Sequence, residues 1–431
     1  MLIQFRFKNF ASFKEETILD LRALSYKDKK NHVLKIGNNK VVKTHGIFGA
    51  NASGKSNLVS ALYFFESFVF NQFYNDGKRE DDISRDERKV SIKNSLFRLS
   101  SEADNRQEFE ILFYTNNTTY QYGFTLEFHN NMQEYSVLEE WLLANDRQIF
   151  ERAYNRISAG RDYVSELKSI SKAREDRLYI GILDYFGEGK VKSHIDTIKK
   201  YFKYNFNIYF ELYVESSVKG LISPAFSGKK LYEDDDYRHK VEEFIRAADI
   251  GIKRIEVVLT HTDDDRKFYR IKTVHDVYDL EGGIVGEEVF DIEDESSGTI
   301  RYMAFIRSFL DSINNGGVFI VDELTARLHP VLAKFIVDLY QNEYNNKAQL
   351  IFTTHDVSLL NRDQFRRDEI AFVDKTVQGK STIYTMADLK VRSDASFLKD
   401  YLSGKYGAVP IIKDAEVLKT GAEDLYGTIN Q

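Results

Sequence analysis

The chain has 431 residues, 42% hydrophobic and 29% charged, the balance of a soluble globular protein and too long for one ordinary core, so two or three lobes are expected. It contains no cysteine, which excludes a disulfide framework, a thiolate metal site and a cysteine nucleophile, and fits a reducing cytoplasm. A net charge of −7 excludes a chain that is basic throughout, as a general nucleic-acid binder would be. No apolar run approaches the ~20 residues of a membrane span, and MLIQFRFKNF lacks the apolar centre of a secretory signal.

Residues 2–24 alternate well enough to read as two strands, LIQFRF and ETILDLRAL, around the turn-like KNFASFKEE. Residues 25–40 are polar and lysine-rich, the composition of a loop. Val41, Val42, Ile47 and Phe48 then read as one short buried strand. It runs into GIFGANASGKSNLVS, where Gly49 is followed after four residues by Gly54, Lys55 and Ser56. Leu58, Leu62, Phe65 and Val69 next mark one face of a helix. Strand, glycine loop, helix is the setting in which GxxxxGK[ST] means a phosphate-binding loop. The glycines let the backbone curl until successive N–H groups point inward, and the helix adds its positive dipole end. Lys55 can reach the β- and γ-phosphates and the Ser56 hydroxyl can ligate Mg²⁺. The expected nucleotide-binding set is Gly49, Asn51, Ser53, Gly54, Lys55, Ser56 and Asn57.

A charged, solvated connection follows at residues 72–92. Strand-like runs at 109–114, 120–128 and 136–143 come next, the first two joined through Asn116 and Asn117, so residues 1–145 form the first part of an α/β unit with a β-rich arm. Residues 146–238 read as an inserted, mainly helical lobe. Within 147–204 there are 13 Lys/Arg and 8 Asp/Glu, a surplus of +5 against −12 for the remainder, interleaved with tyrosine and phenylalanine. The plainer reading is a solvated face over an aromatic core. The sharper one is a nucleic-acid backbone surface built from Lys190, Lys192, Lys199, Lys200 and Lys203. In residues 239–390 a helix and three strands lead to an alternation of strand and helix. Strands fall at 318–321, 350–353, 370–373 and 382–385, with helices from Pro330 and near Leu359. This is α/β with a largely parallel sheet, and residues 391–431 form a tail.

Three constellations in the last third complete the site. Asp322 and Glu323 end the apolar strand VFIV, at the sheet edge where α/β ligands bind; Asp322 would hold Mg²⁺ and Glu323 would polarise the attacking water as general base. Thirty-three residues after Asp322, the strand LIFTT ends in His355, placed to sense the γ-phosphate. Ser296, Ser297, Gly298 and Thr299 precede a helix carrying Arg301 and Tyr302, a second anion site at a helix N-terminus. One nucleotide does not need two such sites on one chain, so this one would serve a second chain packed head-to-tail.

The order P-loop, ESSGT, VFIVDE, LHP, TTH resembles the ABC-type ATPase heads of the SMC/RecF/OLD superfamily. The resemblance implies that Lys55 and Ser56 belong to a Walker A motif, residues 296–299 to the signature acting in trans, Asp322 and Glu323 to the Walker B, and His355 to the switch histidine. The opening MLIQFRFKNFASFKEE, the stretch FIRAADIGIKRIEV, His275 before ESSGT, RRDEIAFVDK and the tail YLSGKYGAVP look like the compact AbiL/RloA-type ATPases of anti-phage abortive-infection operons, with PARIS-type ATPases as relatives. That resemblance implies a cytoplasmic homo-oligomer that hydrolyses ATP with Mg²⁺. It would hold or license a separately encoded effector such as a TOPRIM-type nuclease, on a DNA or phage-protein trigger. The open alternatives are a RecF-like DNA repair ATPase and a non-hydrolysing nucleotide-gated scaffold. Relatives carry Arg where this chain has Ala11, leaving Lys14 the nearest cation, and DELTARLHP puts Thr325 and Arg327 at D-loop positions. These differences bear on hydrolysis rate and subunit coupling rather than on nucleotide binding.

Overall fold

In β1 (Leu2–Lys8) Leu2, Ile3, Phe5 and Phe7 are buried, and β2 (Thr17–Asp20) pairs with it antiparallel. The computed structural model describes residues 1–73, 95–102, 104–129, 134–209, 228–247, 251–261, 267–326, 328–392 and 395–409. Most of the charged connection expected at 72–92, and Arg327, lie outside them. β3 (Val33–Ile36) and β4 (Asn39–Val42) form a two-stranded ribbon; β5 (Thr44–Phe48) leads into α1 (Lys55–Phe73). β6 (Arg106–Thr115), β7 (Thr118–His129), β8 (Glu134–Ala144), β9 (Arg147–Ala153) and β10 (Arg156–Ala159) extend β1 and β2 into a seven-stranded antiparallel sheet, ordered β10-β9-β8-β7-β6-β1-β2. The β6–β7 turn is the asparagine pair of the sequence, Asn116 at φ 46° and Asn117 at φ 59°, the left-handed pair that matches strand twist in a tight hairpin.

The helices α2 (Tyr179–Phe186) and α3 (Gly189–Lys200) follow, then β11 (Phe206–Tyr209). α4 (Asp235–Ala247) precedes a three-stranded antiparallel sheet of β12 (Ile252–His261), β13 (Lys267–Tyr278) and β14 (Ile284–Asp291). The last part is α5 (Ser297–Asn315), β15 (Gly317–Val321), α6 (Pro330–Gln341), β16 (Ala348–Thr354), β17 (Ile370–Lys375) and β18 (Ser381–Thr385). β11, β15, β16, β5 and β17 run parallel in that order, with β18 antiparallel at the edge. Its central strands are buried at every residue because both faces are covered. On β15, Val318 and Ile320 face the core shared with α1 and the antiparallel arm, while Phe319 and Val321 face the core shared with α5 and α6. This is the expected α/β architecture with a largely parallel sheet, joined to a β-rich antiparallel arm. Among the described residues no helix is long and apolar enough to cross a membrane.

Several sequence expectations need correction. The run from Val41 to Phe48 is two strands, broken at the buried Lys43, whose Nζ bonds the Asn342 carbonyl at 2.7 Å. The expected loop at 25–40 contains the hairpin of β3 with the start of β4, turning at Gly37 (φ 56°). The segment read as helical from residue 146 begins as β9 and β10, which pair antiparallel beside β8 and bury Ile149, Phe150 and Arg152. The aromatic residues Tyr163, Tyr179, Tyr201 and Phe202 belong to the same core as the arm and α1. The helix expected near Leu359 is a single 3-10 turn, Val357–Leu359. Of the five lysines proposed for nucleic acid, Lys192 and Lys199 are held by Asp184 at 2.8 and 2.6 Å.

α2 is tied to the arm by a buried ion pair. The Glu140 carboxylate accepts from the N–H groups of Tyr179 (2.5 Å) and Ile180 (3.0 Å) at the start of α2, and from the Tyr122 hydroxyl (3.0 Å). Arg152 lies 3.5 Å from it and donates to the carbonyls of Tyr154, Arg174 and Arg177. Burial pushes the Glu140 carboxyl up and the Arg152 guanidinium down, so each needs the other to stay charged. Arg152→Met is therefore expected to remove about 3–5 kcal/mol of stability, and the double variant Glu140→Gln/Arg152→Met clearly less, read as shifts of the urea midpoint.

Candidate functional site

The P-loop lies between β5 and α1 and is curled by two residues of left-handed φ, Ala52 (61°) and Gly54 (116°). At Gly54 a side chain would strike the hydroxyls of Ser381 and Ser12, so only glycine fits. Those two serines clamp the loop from outside. Ser381 Oγ donates to the Ser53 carbonyl (2.6 Å) and lies 2.8 Å from Ser12 Oγ, which accepts from Asn57 Nδ2 (2.8 Å). The sequence reading missed both serines; no motif marks them, and they meet only because β18 returns beside the opening turn. Ala11, next to this clamp, has left-handed φ (50°) and bonds the Ser95 carbonyl through its N–H, while Lys14 is engaged with Ser100 at 2.9 Å. Asn51 is exposed and Ser53 buried with its hydroxyl unpaired; Gly49 packs against the Val373 carbonyl.

Lys55, Ser56, Asp322, Glu323 and His355 converge. β5, β16 and β15 are adjacent and parallel, so their carboxyl ends share one edge. Lys55 Nζ donates to the Gly49 and Ala50 carbonyls at 3.0 and 3.1 Å and lies 3.8 Å from Glu323 Oε1. Ser56 Oγ donates to Asp322 Oδ1 at 3.3 Å. Thr353, on β16, donates its hydroxyl to the same Asp322 oxygen (2.7 Å) and accepts the Glu323 N–H (2.8 Å). His355 Nδ1 sits 2.7 Å from Glu323 Oε2. Thr325 Oγ1 lies 2.6 Å from Thr354 Oγ1, tying the loop after Glu323 to the strand before His355. Thr353 and Thr354 were passed over in the sequence, although the doublet before the histidine was visible.

Desolvation dominates the electrostatics. Burial lowers the Lys55 ammonium below the usual lysine range, against the pull of Glu323 and Asp322. Burial raises the Asp322 carboxyl, against the bonds from Thr353 and Ser56. Both groups are thus held charged at some cost, the condition that a phosphate and a hard cation relieve. Ser56 and Asp322 offer two oxygen donors side by side, which suits Mg²⁺ completed by phosphate and water; among the described residues no cluster of three or more acidic or histidine side chains forms a self-sufficient metal cage.

The other expected anion site starts α5. Ser296 is its N-cap, accepting the Thr299 N–H at 3.1 Å, with the two hydroxyls 2.9 Å apart; Gly298 and Ser297 occupy the first turn. Glu295 is held just before it by Thr273 Oγ1 (2.5 Å) and His275 Nε2 (2.7 Å) of β13.

The profile of the family described as "AAA domain, putative AbiEii toxin, Type IV TA system" matches residues 45–361. Comparison with curated proteins finds no match. Among solved structures the chain is similar to an Smc head bound to the C-terminal winged-helix domain of ScpA (14% identity, 89% of this chain and 97% of that one, TM-score 0.48). It is also similar to the SMC head domain of Thermotoga maritima (12%, 90% and 99%, TM-score 0.40). A third is an Smc head with extended coiled coil bound to the C-terminal domain of ScpA, from Pyrococcus furiosus (14%, 94% and 98%, TM-score 0.44). With the P-loop, the strand-end acidic pair and the histidine joined at one sheet edge, and the profile spanning all three, the chain belongs to this AAA domain family.

Proposed function

We propose that the chain binds Mg·ATP and hydrolyses it between two copies packed head-to-tail, as the ATPase regulator of an abortive-infection system of AbiL/RloA type. The observation that carries the chemistry is the clamp on Glu323, with Lys55 on one carboxylate oxygen and His355 on the other. An arriving γ-phosphate competes for Lys55 and, by drawing it off, frees one oxygen of Glu323 to accept a proton from water. Ser56 and Asp322 would hold Mg²⁺, which supplies charge neutralisation on the phosphates when bound. Water attacks the γ-phosphorus in line, the bond to the β-phosphate oxygen breaks, Glu323 takes the water proton, and ADP and phosphate leave. His355 steadies Glu323 and meets the γ-phosphate, and the partner copy's signature, residues 296–299, closes the site.

The toxin–antitoxin wording of the family supports a defence role. In that role the chain would act in the cytoplasm on a separately encoded effector such as a TOPRIM-type nuclease, in response to a DNA or phage-protein trigger. A repair ATPase of RecF type would instead show DNA-stimulated turnover that falls with salt.

Glu323→Gln is expected to lower turnover at least ~100-fold while leaving ATP affinity within a few-fold, and to accumulate an ATP-bound pair in light scattering. Turnover at the wild-type rate in this variant removes the general-base assignment. Mixing Lys55→Ala with Ser296→Arg is expected to restore turnover that neither variant has alone, because one of the two sites in the mixed pair keeps both halves; no recovery removes the in-trans signature. Because burial raises the Asp322 carboxyl, protons compete with Mg²⁺ for it at a pH above the usual aspartate range. Mg²⁺-dependent ATP affinity should therefore fall as pH is lowered, starting above that range, and titrations in Asp322→Asn should lose this slope.

A further inference from the structure

The surface carries one feature that the nucleotide site does not use. β14 is exposed at seven of its eight positions and is an edge strand, yet it presents Ile284, Val285, Val289 and Phe290; Tyr278 and Leu280 continue the apolar surface at the tip of the β13–β14 ribbon. A long exposed apolar edge without lysine or proline is one that proteins normally cover. The ribbon is also acidic. Residues 276–295 contain nine Asp/Glu and no Lys or Arg. Lys253 and Arg254 neutralise Asp276 and Glu287, and Lys272 neutralises Asp291. Among the described residues Asp279, Glu281, Glu288, Glu293 and Asp294 have no cationic partner.

The complementary surface lies on the same chain. α2 ends in the exposed Tyr185 and Phe186, and Lys190 and Lys200 lie on the solvent side of α3 with no carboxylate partner among the described residues. We propose that the β13–β14 ribbon docks on the α2–α3 face of a second copy of this chain. This rests on the reading that residues 296–299 meet the partner's P-loop, and it names the contact that orients the two copies. The reaches agree. From Asp291, five residues before Ser296, β14 extends ~27 Å to Ile284 at its eight residues. From the partner's P-loop, its 19-residue α1 extends ~28 Å to Phe73, over whose ring Lys199 of α3 sits at 5.8 Å. Ribbon-to-ribbon pairing is disfavoured because two acidic edges, each carrying the uncompensated Glu288 and Glu281 beside it, would meet with like charge. Ribbon to helices, made twice across a two-fold axis, is a self-complementary contact: both copies of it form at once and the pair closes.

The test is a charge swap in full-length Glu323→Gln protein with Mg·ATP, reading mass against concentration by light scattering. The ribbon swap is Glu281→Lys/Glu288→Lys and the helix swap is Lys190→Glu/Lys200→Glu. Each alone should weaken pairing at least ~10-fold, because lysine then faces lysine or glutamate faces glutamate in both contacts. Mixing the two should restore parental pairing, since one contact regains opposite charges in reversed order and the other is unaltered. Retained nucleotide affinity in each swap confirms folding. A parent that pairs while either swap pairs equally well, or a mixture that fails to recover, overturns the docking alone. A parent that binds ATP but stays single overturns the paired-head reading, and the docking with it.

Discussion

One ammonium and two carboxylates, gathered where water is largely excluded, set the terms for the nucleotide edge. Lys55 is almost fully buried, and its ammonium finds partial compensation in two loop carbonyls and in Glu323 at 3.8 Å. Asp322 finds its compensation in two hydroxyls, and Glu323 in Lys55 and His355. Each partner is a substitute for something that carries more charge. A triphosphate offers Lys55 a better acceptor than peptide oxygen, and a divalent cation offers Asp322 a better counter-charge than a hydroxyl. These pairings are therefore weak by the nature of their partners, and in the proposed mechanism their exchange for phosphate and cation carries nucleotide state to Glu323 and His355.

The fold's contribution is adjacency. β5 supplies the P-loop, β15 the acidic pair and β16 the histidine, and the sheet order β15-β16-β5 places them side by side although they lie up to 300 residues apart. The threonines at the end of β16 act as the spacer: Thr353 bonds both Asp322 and the Glu323 N–H, fixing β15's last turn against β16. The antiparallel arm does none of this chemistry. It packs on α1, which is buried nearly all round between the arm and the parallel sheet, and so holds the helix whose first turn carries Lys55 and Ser56.

Much of this was legible in the sequence because glycine spacing and strand-end polar residues are local signals. The P-loop, the Asp322 and Glu323 pair, His355, the asparagine hairpin and nearly all strands of the last third are written in contiguous runs. The clamp of Ser12 and Ser381 on Gly54 was not, because it joins residues 369 apart through single hydroxyls that look like any surface serine. The strands β9 and β10 were hidden by arginines and glutamates on the solvent side, where charge mimics a helical surface. The four-three-four spacing in α1 marked one apolar face, whereas burial on both sides makes phenylalanines tolerable all round it. Lys192 and Lys199 looked like a nucleic-acid surface only because Asp184, their partner, sits on the preceding helix.

Glu323 shows why two neighbouring residues can serve one site. In an extended strand consecutive side chains point to opposite faces, so Asp322 and Glu323 would diverge if β15 simply continued. The strand stops at Val321, and Glu323 adopts a left-handed φ of 54°, a conformation that costs a non-glycine residue about 1–3 kcal/mol. The surroundings over-determine it: its N–H is held by Thr353, its carbonyl accepts the Ala326 N–H, and its carboxylate is fixed from both sides. Glycine there would relieve the strain, but it would remove the carboxylate that the turn exists to aim. The strained backbone is thus explained by the placement of both carboxylates on the same side of the sheet edge, facing Lys55, where the proposed mechanism uses them as cation ligand and proton acceptor.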